Sequence, residues 1–264
     1  MTMPPVSPPP IHDPVQALWI GGSLPPLQQM SVRSFLAHGH PYHLFAYEEV
    51  AGLPAGALLL DAASVLPRNR IFTYQHGFGK GSYSAFSNVF RYQLLYDRGG
   101  WWVDTDVVCL RPLALPGEHI LATELDDFEQ EGVFTPLTAT CAFKLPRGAP
   151  VLAYCLEVCA GKNPAALRWS EIGPYLFDEA IKRLGLTNHQ LPYQAFSPVS
   201  TFEFRQLIEA GFDFSRLEDS WAIHFWNQIW ASEGIDPEAQ AHPESPYAVL
   251  KRRFAEPGLS EGPG

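Results

Sequence analysis

Asp104 and Asp106 stand one residue apart, directly after the apolar run Trp101-Trp102-Val103. Carboxylate oxygens suit a hard divalent cation, which takes one or two of them together with phosphate oxygens. Residues i and i+2 on a strand point to the same side, so this spacing predicts that both carboxylates share one pole of a site. Upstream, Asn88 and Arg91 are three residues apart in a helical stretch and share a face of it. A guanidinium beside an amide is suited to phosphate oxygens or sugar hydroxyls. The combined chemistry is a cation neutralising a departing diphosphate, with a sugar held beside it. By itself Asp-x-Asp is common and also fits a solvated acidic turn, so the weight lies in what surrounds it.

Two further clusters have residue types that could join such a site. Trp19 ends an apolar segment just before Gly21-Gly22. Glycines let a ligand approach the backbone, and an indole there suits either stacking on a nucleobase or a place in the core. Late in the chain come His224, Trp226, Asn227 and Trp230. A neutral imidazole ligates manganese and similar metals, and an Asn carbonyl can add an oxygen.

The elements that must position these residues follow from the apolar periodicity. Ala17–Ile20 reads as a first strand, Met30–His38 as a helix and Tyr42–Tyr47 as a second strand, the opening of a parallel α/β sheet. Residues 55–66 form an apolar piece feeding Asp61. The segment 71–82, with Gly77, Gly79, Lys80 and Gly81, reads as a loop. A central helix follows, with Phe86, Val89, Phe90 and Leu94 as its buried stripe and Gly99 as its C-terminal cap. A strand from Trp101 to Leu110 brackets the acidic pair. Strands are expected at Ile120–Glu124 and Ala139–Leu145, helices at Val151–Ala160, Pro174–Leu184 and Tyr247–Phe254. Residues 191–204 read as loop and strand.

The totals set limits on partners. With 264 residues and 46% hydrophobic content, the chain can bury a large core. A formal net charge of -10 opposes nucleic-acid binding, which relies on Lys and Arg. A nucleotide-sized ligand stays compatible, because a metal can supply positive charge. Cys109, Cys141, Cys155 and Cys159 lack zinc-site or disulfide-framework spacing and read as buried thiols. Pro4, Pro5, Pro8, Pro9 and Pro10 predict a flexible arm over residues 1–14, not a signal peptide. One domain over 15–255 and a disordered tail over 256–264 complete the expected organisation. No apolar stretch has membrane-spanning length, and a soluble, cytoplasmic protein is the expectation.

In order along the chain, these motifs resemble the metal-dependent glycosyltransferases whose sugar-binding region contains Asp-x-Asp. That group includes capsular-polysaccharide sugar transferases, α-1,4-galactosyltransferases and yeast-type α-1,6-mannosyltransferases, with the clostridial glucosylating toxins as distant relatives. The family's Ser-Asp-x-x-Arg helix stands here as Ser87-Asn88-Val89-Phe90-Arg91. Its Gly-Gly-x-Tyr-x-Asp-x-Asp stands as Gly99-Gly100-Trp101-Trp102-Val103-Asp104-Thr105-Asp106. Leu18-Trp19-Ile20-Gly21-Gly22 is similar to the family's first strand, Ile172-Gly173-Pro174 to its Gly-Pro element, and His224-Phe225-Trp226-Asn227 to its late His-x-Trp element. Two positions depart. Asn88 replaces an Asp that contacts the donor sugar, and an amide donates as well as accepts. Trp102 replaces a Tyr and loses a hydroxyl.

The resemblance implies a GT-A-like α/β fold with a mostly parallel central sheet, dependence on Mn²⁺ or Mg²⁺, and transfer with retention from a nucleotide-diphosphate sugar to a hydroxyl acceptor. It implies Asp104, Asp106 and Arg91 as catalytic residues, and Asp104, Asp106, His224 and Asn227 around the metal. Donor contacts would come from Trp19, Ile20, Gly21, Asn88, Arg91, Trp102, Asp104, Thr105, Gly173 and Trp226. A UDP-sugar is favoured over a GDP-sugar, the acceptor being a glycan, capsular polysaccharide or lipid-linked sugar, the last with peripheral membrane association. Two other readings stay open: a secreted effector that glycosylates a host protein, and a sugar-nucleotide-binding protein with a decayed site.

Overall fold

The computed structural model describes residues 12–126 and 134–255. Most of the expected N-terminal arm (1–11), the expected tail 256–264 and residues 127–133 lie outside the described residues. His12–Pro14, the end of the expected arm, is fastened to the domain. The His12 and His40 rings lie 4.9 Å apart, and Lys144 pairs with Asp13 at 2.5 Å.

The chain opens with β1 (Val15–Trp19), α1 (Pro26–Ala37), β2 (Tyr42–Ala46) and β3 (Leu58–Asp61). α1 begins four residues before the expected Met30, because Pro26 sits at its first turn, where a missing N–H costs nothing. Next come α2 (Ser84–Arg98), β4 (Gly100–Val103) and β5 (Val107–Cys109). β6 (Ile120–Asp126), β7 (Thr135–Leu145), α3 (Pro150–Ala160) and α4 (Pro174–Arg183) follow. The chain closes with β8 (Ala222–His224), α5 (Asn227–Glu233), α6 (Pro237–Gln240) and α7 (Pro246–Arg253).

Six strands form one sheet in the order β3-β2-β1-β4-β7-β6. The neighbours β3, β2, β1 and β4 are parallel, and β7 alone runs against the rest. This is the expected α/β class with a mostly parallel sheet. Both faces are covered, so the strands are apolar on both sides instead of alternating with polar residues. Leu18, Phe45 and Trp102 face a core shared with α2, α3 and α4. Ala17, Leu44, Trp101 and Val103 face a second core with α1. A third cluster packs Trp226, Trp230 and Tyr247 against Met30 and Val108. Among the described residues no helix is long and apolar enough to cross a membrane.

α2 follows its stripe. Phe86, Phe90 and Leu94 are buried, with Val89 half-buried beside them. Gly99 ends the helix at φ 68 and ψ -170, a region open essentially to glycine. A Cβ there would lie 2.5 Å from the backbone nitrogen of Arg147.

Two expectations are corrected. The single strand from Trp101 to Leu110 is two strands in different sheets, because β5 leaves the main sheet to pair with β8. Asp104–Asp106 therefore forms the turn between them, closed by Val107 N donating to Asp104 O at 3.1 Å. Residues 191–204 contain two short 3₁₀ segments, Tyr193–Ala195 and Thr201–Leu207, and no strand. Ser200 and Glu203 form a capping box there, which favours a helical turn over an extended one.

Candidate active site

The acidic turn sits where β4 ends, at the edge of a parallel sheet that commonly opens on a ligand crevice. Asp104 is anchored from both sides of its backbone and side chain. Its N–H donates to Cys141 O on β7 at 2.7 Å. Its carboxylate receives Arg91 Nη2 on Oδ1 at 3.1 Å and Nη1 on Oδ2 at 3.3 Å. Trp102 Nε1 also donates to Oδ1, at 2.8 Å.

Arg91 comes from α2 and is only 3% exposed. Its Nε donates to Ser87 O at 3.2 Å and its Nη2 to Ser87 Oγ at 2.9 Å. Nη1 also donates to Thr140 O on β7. The guanidinium lies 4.8 Å from the centre of the Trp102 ring. Every face of this cation is thus held, and it fixes Asp104 in turn.

Asp106 is positioned by different elements. Val107 pairs with His224 across β5 and β8, which sets the imidazole beside the turn. His224 Nε2 lies 3.4 Å from Asp106 Oδ2, and Asn227 donates to the same oxygen from its backbone N–H at 2.9 Å. α1 braces β5 through Ser31 Oγ donating to Val107 O at 2.6 Å and Cys109 N donating to Ser34 Oγ at 2.8 Å. Trp226, just before Asn227, has φ 52 and ψ 41, a left-handed conformation uncommon for a bulky residue. Its ring lies 3.9 Å from that of His224, and its Nε1 donates to Val199 O at 2.9 Å.

The two carboxylates titrate apart. Burial pushes Asp104 up, and Arg91 only partly offsets this. Burial acts the same way on Asp106, but the neighbouring His224 outweighs it and holds that carboxyl low. Burial would pull His224 down. The charge of Asp106 and the Cys141 sulfur overcome that and hold its imidazole well above the ordinary range.

Ligand atoms of Asp104, Asp106 and His224 lie within 4.8 Å of one another. His224 Nδ1 is buried and has no hydrogen-bond partner among the described residues. Two carboxylates and an imidazole are a donor set that fits a divalent cation.

The turn opens into a cleft of about 580 Å³, a volume suited to a nucleotide-sized ligand. Trp19, Ile20, Asn88, Arg91, Asp104, Thr105, Asp106, His224, Trp226 and Asn227 all line it. Three expected contacts do not. Trp102 is buried beneath Asp104 and reaches the cleft only through that carboxylate. Gly21 lies under the Trp19 indole, where a Cβ would come 3.3 Å from Nε1. Gly173 backs Asn88, and a Cβ there would lie 2.6 Å from Nδ2. Asn227 meets Asp106 through its backbone.

The cleft also contains residues that spacing did not single out. Glu124 on β6 and Cys141 on β7 reach it, within 4.8 Å of His224. Tyr74, Phe78, Tyr83 and Trp169 also line it. Only the order β4-β7-β6 and the approach of two distant loops bring these together, so no local pattern marks them.

Residues 33–126, spanning α1 to β6, match the family model described as glycosyltransferase sugar-binding region containing DXD motif. Over this segment the chain is similar to the sugar-binding region of DXD-type glycosyltransferases. The region contains Asn88, Arg91 and the acidic turn, whereas Trp19, His224 and Asn227 come from outside it. A human protein named alpha-1,4-N-acetylglucosaminyltransferase is 28% identical over 156 residues, which is 54% of this chain. The match spans 42% of that relative's length. Among solved structures, the PaToxG glycosyltransferase aligns at TM-score 0.49 and 12% identity, over 92% of this chain and 86% of its own. The glycosyltransferase GlyE of Streptococcus pneumoniae TIGR4 aligns at TM-score 0.44 and 14% identity, over 92% and 63%.

Proposed function

We propose that this chain is a metal-dependent, retaining glycosyltransferase that moves a sugar from a UDP-sugar to a hydroxyl acceptor. One observation carries the reading: within a DXD sugar-binding region, Asp104 and Asp106 meet His224, contributed by a distant strand, in a cleft of nucleotide-sugar size. Retention is supported by the human relative's name, because an α-1,4 linkage made from an α-linked donor keeps its configuration. UDP follows from the sequence resemblance, and a glycan or lipid-linked sugar is the acceptor class it implies.

Asp104, Asp106 and His224 would hold a divalent cation, which would supply Lewis-acid neutralisation of the diphosphate. The chain's own residues do the positioning. Arg91 holds the Asp104 carboxylate in one orientation, so little reorganisation is needed when the leaving group gains charge. Asn88 presents its amide to the sugar, with Gly173 leaving room for it. Trp19 covers the base, and Trp226 keeps the His224 ring in register. In the transfer, the bond from the anomeric carbon to the diphosphate oxygen breaks and one to the acceptor oxygen forms. The acceptor's proton passes to the departing diphosphate, and no protein base is assigned.

A thermal-shift panel of UDP- and GDP-sugars, with and without Mn²⁺, tests this. A donor at a hundredfold its Kd adds about 2.7 kcal/mol of stability. The expected result is a rise in Tm with UDP-sugars that needs Mn²⁺. No shift with any nucleotide sugar at millimolar concentration would sink the reading.

A further inference from the structure

Glu124, Cys141 and His224 come from three strands in two sheets, β6, β7 and β8. Their ligand atoms lie within 4.8 Å of one another, and all three residues line the cleft. Cys141 sits in a bulge. Leu121 pairs with Phe143 and Thr123 with Thr138, so Ala122 alone faces residues 139–142 of β7. A bulge re-aims side chains, a device common beside active sites. The Cys141 thiol is buried, with Ser197 Oγ 4.0 Å away. Burial pushes the thiol up, and its neighbour His224 partly offsets this.

His224 has a spare nitrogen. The residue is only 8% exposed. Its Nε2 is turned to Asp106, 3.4 Å from Oδ2, while Nδ1 is shut off from solvent and has no hydrogen-bond partner among the described residues. A buried nitrogen left unpaired is costly and calls for an explanation. The ligand atoms beside the ring that the acidic turn does not use are a sulfur and a carboxylate oxygen.

We infer that Glu124, Cys141 and His224 Nδ1 form a second cation site, for a borderline-soft divalent ion of the zinc kind, and that its occupation shuts down the transferase. Sulfur, nitrogen and oxygen are the donors zinc takes, with three protein ligands and one open position. At the bond lengths zinc makes, tetrahedral donors stand about 3.5 Å apart, so groups within 4.8 Å need close by only about 1 Å. Manganese and magnesium favour oxygen donors and gain little from a thiolate. As the ion binds, the Cys141 thiol and the Nδ1–H each release a proton to solvent.

The two sites compete for one ring. An imidazole bound through Nδ1 keeps its proton on Nε2, which then donates to Asp106. A carboxylate behind the ring is the usual support of a zinc-bound histidine. In that state Nε2 has no lone pair for a cation at Asp104 and Asp106, and Asp106 is itself engaged. The zinc site stands on its own side chains, whereas the shutdown rests on the proposed donor site.

The experiment uses the full chain with Co²⁺ as probe, because thiolate bound to cobalt gives a charge-transfer band in the near ultraviolet and carboxylate or imidazole does not. Wild type gains the band, and Zn²⁺ displaces it. Cys141→Ser shows no band, and Glu124→Gln weakens Co²⁺ binding at least about tenfold. Asp106→Asn, which abolishes the acidic-turn site, keeps the band at saturating Co²⁺. In wild type Zn²⁺ erases the Tm shift given by UDP-sugar with Mn²⁺, and in Cys141→Ser the same loss needs at least about tenfold more Zn²⁺. No band, a band that Cys141→Ser retains, or a manganese-dependent shift untouched by Zn²⁺ that has displaced the cobalt overturns the inference. Should Cys141→Ser fail to fold, the wild-type band and Glu124→Gln decide. Failure of the donor site appears separately, as wild type that gains the band but shows no UDP-sugar shift with Mn²⁺.

Discussion

Arg91 grips Asp104 through both terminal nitrogens, Nη2 on Oδ1 at 3.1 Å and Nη1 on Oδ2 at 3.3 Å. The guanidinium is almost wholly buried, and Ser87 and Thr140 take its remaining donors. The first carboxylate of the acidic turn is thus part of the helix–sheet junction, while the second, Asp106, is tied to the late strand β8.

Arg91→Ala should damage stability as well as activity. It removes the partner of a largely buried carboxylate and leaves the Thr140 carbonyl without its donor. Breaking such a pair costs about 3 kcal/mol. Urea denaturation should show the midpoint falling by that equivalent. Arg91→Lys should recover part of the charge but not the two-pronged geometry, giving an intermediate midpoint and weak transfer. A wild-type midpoint for Arg91→Ala would contradict this account of the junction.

Asp106→Asn should separate function from folding. An amide oxygen can still accept from the Asn227 N–H, and His224 can shed its proton once the charge is gone, so the fold should survive with a loss of about 1–3 kcal/mol without metal. The charge that favours a cation is gone, and the Mn²⁺-dependent shift with UDP-sugar should vanish along with turnover. Manganese titration followed by Tm is the check, and a retained shift would remove Asp106 from the metal site.

Gly173→Ala tests the setting of Asn88. The added methyl would arrive 2.6 Å from Asn88 Nδ2. The amide must swing toward the cleft, where the sugar is proposed to lie. Affinity for UDP-sugar should fall at least about tenfold, while affinity for UDP, which lacks the sugar, stays near wild type. Calorimetry with both ligands decides it, and equal losses for both would point to a wider distortion.

Stability should also depend on pH through His40. Its Nδ1 donates to Asp13 O at 2.8 Å and its Nε2 accepts from Leu113 N at 2.9 Å, so the ring is neutral. Burial holds its pKa below the ordinary imidazole range despite the bond to Asp13. A base whose folded pKa is depressed binds more protons when unfolded. Its contribution is therefore complete above about pH 6.5 and is lost as pH falls toward the folded value. The His40 contribution to Tm should be level from pH 8 to 7 and drop below pH 6.5. His40→Leu should flatten part of that drop, and only part, because burial also lowers His38 and His43.

Much of this protein is local in origin and legible along the chain. The stripe Phe86, Phe90 and Leu94 sets which face of α2 is buried, and the same periodicity turns Asn88 and Arg91 toward the turn. The glycine at 99 ends the helix, and the adjacent apolar run makes β4. The carboxylates at 104 and 106 are equally visible, but they meet through a turn between two sheets and not through strand alternation. That difference arises because β5 finds its partner in β8, more than a hundred residues later, and pairing at such separation leaves no short-range periodicity. The same holds for Glu124 and Cys141, placed beside His224 by sheet order, and for Trp169, brought onto Gly79 by loop packing. Local propensity and apolar period act over a few residues and determined the elements. The contents of the cleft depend on which elements become neighbours, and burial of both sheet faces in the folded chain decided that.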